Sequence, residues 1–238
     1  MFLVLCRATD ISAIWAYLQL KKSLGRAIDL VTTETLVHAL RWEHRITRAD
    51  VSTRMTLADG RVIASSEIAA ALNRIEQLPS TFPNASAADR AYAAAELHAF
   101  FASWLHALPV PLWNRATPAG LSGSTWRRQA EWNILAAEAG FATASLREGD
   151  ATATGFVPRP AHTLLVVGEA VFGSGRLRDR SSAAAARALS RSCEAPLLGV
   201  TLDADGRFLS ATTHPDLRTG GLPAVEALRA QLFSEPRS

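Results

Sequence analysis

Two Asn-Arg pairs, Asn73-Arg74 and Asn114-Arg115, have side chains well suited to gripping a ligand. Each pair closes a helix–strand unit, so each arginine should stand beside a turn shaped by its asparagine. Guanidinium groups hold carboxylates and phosphates through paired, charge-assisted hydrogen bonds. Two of them in one groove, at the carboxyl ends of neighbouring strands, would favour a carboxylate-bearing ligand or an acidic peptide segment. Glu96, on a long helix, is placed to orient one guanidinium. The alternative is a pair of surface arginines beside ordinary Asn turns. Neither arginine is expected in the core, so alanine at either should change stability by no more than roughly 0.5 kcal/mol.

Other chemistry has thinner support. His214-Pro215-Asp216 is a polar cluster after an expected strand, and it reads either as a metal-binding turn or as a capped turn. His38, His44, His98, His106 and His162 make no i, i+4 pair with a supporting acid, so no metal is expected. Lys21 and Lys22 are the only lysines, which excludes a Walker A loop. Gly168, Gly173, Ser174 and Gly175 lack the spacing of a phosphate fingerprint and read as a turn. There is no G-x-S-x-G elbow, H-E-x-x-H pair or zinc-type cysteine spacing. Cys6 and Cys193 sit in apolar contexts and read as reduced core thiols.

The 238 residues are 48% hydrophobic and 20% charged, within the range of folded domains, and allow one or two cores. The net charge of +3 comes almost wholly from arginines scattered among acids, so nucleic acid is not an expected partner. No apolar run approaches the roughly 20 residues that span a bilayer. Met1–Arg7 lacks a basic leading segment and Asp10 interrupts it, so it reads as a buried strand rather than a secretory signal. A cytoplasmic protein is expected.

Strands and helices must position these residues. Phe2–Cys6 reads as a strand, and Asp10 can cap a helix whose Ile11, Ile14 and Leu18 share one face. Ala27–Thr32 is a second strand, with Leu36–Trp42 leading into a third. Arg54–Leu57 and Arg61–Ile63 form a hairpin across Ala58-Asp59-Gly60. Ser65 or Ser66 should cap a helix with Ile68, Leu72 and Ile75 on one face. Ala87–Ala107 is the clearest helix, with Leu97, Phe101, Trp104 and Leu108 towards a core. Val110–Trp113 is a short strand, with Pro111 suggesting an edge. Alternation of this kind favours a mainly parallel, helix-covered sheet in an α/β fold. Asn114–Ser124 reads as a linker. Beyond it come a helix over Thr125–Ala139 closed by Gly140, a loop over Arg147–Pro160, a strand over Ala161–Val167 paired with Glu169–Phe172, and a helix over Ser182–Cys193. A hairpin of Leu197–Leu202 with Arg207–Ala211 follows, then a closing helix over Pro223–Phe233 with Val225, Leu228 and Leu232 on one face.

This order, with Ala71-Leu72-Asn73-Arg74, the helix beginning near Asp89-Arg90-Ala91-Tyr92, and Val110-Pro111-Leu112-Trp113-Asn114-Arg115, resembles RimK-like ATP-grasp proteins that ligate carboxylates to amines. Residues 1–115 look like the family's pre-ATP-grasp domain. Residues 116–238 look like a shortened ATP-grasp remnant, through Leu164-Leu165-Val166-Val167-Gly168, the helix after it and the strand Pro196–Val200. The resemblance implies substrate-side roles for Asn73, Arg74, Glu96, Asn114, Arg115, Asp216 and Arg218.

Departures from the family's pattern bear on function. Only about twenty residues separate Gly140 from Ala161, too few for the ATP-holding lid the family carries there. The family holds phosphates with lysines from that region, and arginine is not a neutral replacement. Ser210 and Thr212 occupy the places of the metal-binding Glu and Asn, whereas Mg²⁺ is usually held through one or two carboxylates. The expectation is therefore a non-catalytic protein without a cofactor, which binds a peptide or amino acid or pairs with an enzyme or paralogue, with self-association open. The alternatives are an enzyme with repurposed chemistry, using Arg74, Glu96, Asn114, Arg115 and Asp216, or a ligase whose ATP site a partner completes.

Overall fold

Five consecutive apolar residues, Phe2–Cys6, form β1, and all five are buried, the pattern of a strand covered on both faces. The computed structural model describes residues 1–48, 50–79, 82–117, 120–123, 127–143, 159–173 and 180–233. The chain divides into two compact units: Met1–Gly123 with the residues from Arg229 onward, and Ser124–Leu228.

The first unit runs β1, α1 (Ile11–Leu24), β2 (Ile28–Thr32), α2 (Thr33–Val37), β3 (Arg41–Ile46), β4 (Val51–Thr56), β5 (Val62–Ala64), β6 (Ala70–Asn73), α3 (Ala87–Ala107) and β7 (Leu112–Trp113). Its sheet is wholly parallel, in the order β2-β1-β6-β7. Leu3 and Leu5 join a core with Phe101, Trp104 and Leu105 of α3 and with Met55, Leu57 and Ile63 of the antiparallel β3-β4-β5 meander. Phe2, Val4 and Cys6 alternate to the opposite face, where α1 packs on β1 and β2. Trp42 of β3 ties the meander to α3, with its ring 4.9 Å from Phe100 and 5.4 Å from Trp104.

Three local expectations change here. The buried residues of α1 are Ser12, Ala13, Ala16 and Leu20, whereas Ile11 and Leu18 are 66% and 50% exposed. Small alanines let the helix lie close to the sheet, and that outweighs the larger side chains opposite. Leu36 belongs to a one-turn helix rather than to an extended lead into a strand, because the Thr32 hydroxyl accepts from the amide of Thr35. The helix expected after Ser65 is a 3-10 turn, Ser65–Glu67, followed by β6, whose four residues are all buried. The hydroxyl of Ser65 accepts from the Thr53 amide instead of capping a helix. A short apolar run bounded by polar residues suits a central parallel strand as well as a helix.

α3 begins at Ser86, whose hydroxyl accepts from the Asp89 amide. Its buried residues, Phe101, Trp104 and Leu105, all lie in its second half. The stretch read as a linker is packed where it is described: Asn114, Ala116, Leu121 and Ser122 are buried.

The second unit contains α4 (Gln129–Glu138), β8 (His162–Val167), β9 (Ala170–Gly173), α5 (Arg180–Ser192), β10 (Leu197–Leu202), β11 (Phe208–Thr212) and most of α6 (Gly221–Phe233). Its sheet is antiparallel, in the order β11-β10-β8-β9. Leu164, Val166, Leu198 and Val200 form one face, in a core with Trp132 and Ala136 of α4 and Ala186 and Leu189 of α5. Gly140 closes α4 at φ 98°, a conformation that favours glycine. On α6, Val225 and Leu228 are buried as expected. The expected helix start at Thr125, most of the loop expected over Arg147–Pro160, Ser174, Gly175 and the side chain of Leu232 lie outside the described residues. No described helix is long and apolar enough to cross a membrane.

Candidate functional site

Because β1, β2, β6 and β7 are parallel, their carboxyl ends share one edge of the sheet. β1 runs into Arg7 and then Asp10, the N-cap of α1, whose Oδ1 accepts from the Ala13 amide at 2.9 Å. β2 runs into Glu34, which accepts from the Ala8 amide at 2.9 Å and from the Thr33 hydroxyl at 3.1 Å. Burial alone would raise the pKa of Glu34. The hydrogen bonds from Ala8, its own amide, Thr33 and Thr32 outweigh it and hold the carboxyl below its ordinary value.

β6 ends in Asn73 and Arg74. The Arg74 guanidinium donates from Nε to Asp10 Oδ2 at 2.7 Å and from Nη2 to Oδ1 at 3.3 Å. Its side chain is only 4% exposed, against 16% for Asp10. Arg74 is therefore a buried, paired residue, which corrects the expectation that it lies outside the core. Asn73 is fully buried and donates from Nδ2 to the carbonyls of Asn114 and Leu121, at 2.9 and 2.6 Å. Its Oδ1 accepts from the Ile75 amide, and Ser122 donates its hydroxyl to the Asn73 carbonyl. Asn114 takes the left-handed backbone, φ 56°, that its turn requires.

The structure thus joins Asn73 to Asn114 and sets Arg74 beside them in sequence, with the two arginines turned to different partners. The exposed Arg115 donates from Nη1 to the carbonyls of His106 and Leu108, and from Nη2 to that of Val110, which closes the carboxyl end of α3. Glu96 is exposed on the outer half of α3 and has no hydrogen bond to either guanidinium. In the second unit, Asp216 caps a 3-10 turn over Leu217–Gly220. Its carboxylate pairs with Arg218, the closest contact being 2.6 Å. Hydrogen bonding to Asp216 raises the pKa of Arg218.

Sequence reasoning did not single out Arg7 or Glu34, and it read Asp10 only as a helix cap. All three follow parallel strands at strand–helix junctions, and that position was the available signal. Cys6, at the end of β1, is no nucleophile. Burial, with smaller contributions from Asp10 and Glu34, pushes its thiol up to about 12.

The second unit has a different character. Directly opposed residues of an antiparallel pair point to the same face, so the pairs Gly199–Thr212, Thr201–Ser210, Gly199–Leu165, Thr201–Thr163 and Leu165–Phe172 define the face turned away from α4 and α5. Val167, Ala170 and Leu197 complete it. No ionisable side chain from β8–β11 lies on that face. The Thr212 hydroxyl accepts from the His214 amide at 3.0 Å. Pro215 lies on Gly199, where an added Cβ would come 2.8 Å from the proline Cβ. Gly220 lies over Leu165 and Phe172, with 3.1 Å from its ideal Cβ position to each. Among the described residues, no three His, Cys, Asp or Glu side chains form a metal-binding group.

No family model matches the chain, and no curated protein matches its sequence. Solved structures do match. Macrocyclase MdnC from Microcystis aeruginosa MRC, bound with precursor peptide MdnA, superposes with a TM-score of 0.74 over 99% of this chain and 100% of that one, at 9% identity. Macrocyclase MdnB from the same organism gives 0.72 over 98% and 99%, at 12% identity. A RiPP-associated ATP-grasp ligase from Chryseobacterium gregarium, in complex with ADP and a leader and core peptide, gives 0.67 over 100% and 98%, at 9% identity. This chain has an ATP-grasp-like fold. At such identities the likeness is one of fold, and the ATP-grasp-like chain must be read from its own side chains.

Proposed function

We propose that this ATP-grasp-like protein is non-catalytic, and that it presents a peptide or amino-acid substrate to a separate enzyme, or pairs with that enzyme, in a cytoplasmic modification or biosynthetic pathway. In this reading residues 1–115 act as a pre-ATP-grasp-like domain and residues 116–238 as a shortened ATP-grasp remnant. The observation that carries it is the β8–β11 face without an ionisable side chain. Nucleotide-bound Mg²⁺ takes one or two carboxylates along with phosphate oxygens. At the two positions likened to metal ligands, Ser210 and Thr212 offer hydroxyls, and that of Thr212 is engaged in a turn. No lysine follows Lys22 to hold phosphates. A peptide is the favoured ligand class because MdnC and the Chryseobacterium gregarium ligase are both bound to peptides.

Calorimetry with MgATP tests the loss of catalysis. The expected result is no saturable binding, and a micromolar, Mg-dependent site, worth roughly −8 kcal/mol, would overturn the reading. Co-purification from the native host tests the partnership. Retention of a peptide-modifying enzyme or its peptide is expected, and recovery of the chain alone would count against it.

A further inference from the structure

The chain leaves β1 for β2 on one side and later returns to β6 on the other side of β1. The boundary between β1 and β6 is therefore the topological switch point of the parallel sheet. Open α/β sheets bind ligands just outside the carboxyl ends of the strands that flank such a point. Here those ends are Arg7, after β1, and Asn73-Arg74, closing β6.

The charged groups of this edge are nearly all engaged. Asp10 pairs with Arg74, Glu34 accepts from Ala8 and Thr33, and Arg115 donates to three carbonyls. Arg7 is the exception. Its side chain is partly buried, its Nε is buried, and among the described residues that nitrogen has no hydrogen-bond partner. A buried donor left unmade is costly, and more so on a charged group. An anionic group with two oxygens in one plane would complete it, matching the guanidinium fork.

We propose that Arg7 is the anchor of an anion-binding site at the switch point of the parallel sheet, and that its ligand is a carboxylate. The site gives the peptide-binding reading its chemistry: a side-chain or terminal carboxylate of the bound peptide is held by Arg7. It rests on that reading only for the carboxylate belonging to a peptide. Anion binding itself needs neither ATP nor a partner, so the two ideas can fail separately.

Arginine Nε–H resonances of the full chain, recorded by NMR, test the site, with the Arg7 signal identified by its absence from Arg7→Gln. Titration with N-acetylglutamate should shift that signal saturably at millimolar concentrations, while the uncharged diamide N-acetylglutaminamide should not. Arg7→Lys keeps the charge but not the planar fork, and should weaken N-acetylglutamate binding about tenfold, followed on neighbouring backbone amides. Three outcomes would overturn the proposal: no saturable shift, an equal shift with N-acetylglutaminamide, or a response to inorganic phosphate alone, which would reassign the ligand. Circular dichroism of both variants should match the parent, and a loss of fold in both would show that Arg7 is structural.

Discussion

The parallel sheet of the first unit gathers its polar groups at one edge, and the antiparallel sheet of the second clears them from one face. At the first, Asp10, Glu34, Asn73 and Arg74 come from three strand ends and are held by hydrogen bonds there, with Arg7 beside them at the end of β1. At the second, the face carries threonines, a serine, glycine, aliphatic residues and Phe172, with Pro215 against Gly199 and Gly220 over Leu165 and Phe172. In one fold, then, one sheet gathers charged and amide groups at its edge while the other turns only neutral strand side chains to one face. Fold and chemistry vary separately.

The largest expected effect tests the polar edge. Asp10→Asn keeps an acceptor to cap α1 but removes the carboxylate against buried Arg74. It should cost roughly 3 kcal/mol in denaturant unfolding, because a buried guanidinium loses its ion-pair partner. Adding Arg74→Met should recover much of that loss. A cost below about 1 kcal/mol would mean that the pair behaves like a solvated surface bridge. A smaller effect tests the covered face. At Gly220 an alanine Cβ would lie 2.4 Å from the Cβ of Ala224, so Gly220→Ala should cost about 1–3 kcal/mol through overpacking. Hydrogen exchange should locate the loss in β8, and Ala224→Gly should relieve it. Unchanged protection there would mean that the segment over the face is loosely held.

The smallest effect is electrostatic. The Glu34 carboxyl titrates below its ordinary value when folded, so its contribution to stability is present above the unfolded range near pH 4.3 and fades as pH falls through the folded value. Glu34 is partly exposed, and solvent screening keeps the effect under about 1 kcal/mol. Glu34→Gln should lower the melting temperature slightly at pH 7, and the difference should close as pH falls below the folded value. A gap that widened in acid would contradict the assigned direction.

Much of the architecture was legible from the residues. Ala87–Ala107 has the limits expected, and both hairpins appear where Gly60 and Gly206 allow a turn. β6 was misread because Ile68, Leu72 and Ile75 repeat at helical spacing, while a fully buried parallel strand leaves no period of its own. The site was legible only in part. Asn73 and Asn114 were rightly placed at turns and strand ends, but their bond joins residues 41 apart in sequence. Nor could the sequence show that Arg74 would find Asp10, because that contact depends on β6 lying beside β1.

The two halves of α3 constrain the chain unequally over evolutionary time. Its inner half is fixed by Phe101, Trp104 and Leu105, while Ala87–Glu96, about 15 Å of helix, buries no side chain. That outer half is rich in alanine and needs only its own backbone ladder and the Ser86 cap. Whole turns could be added or removed there without moving a core residue. The outer half is thus a place where lineages can differ in length while the polar edge of the parallel sheet stays as it is.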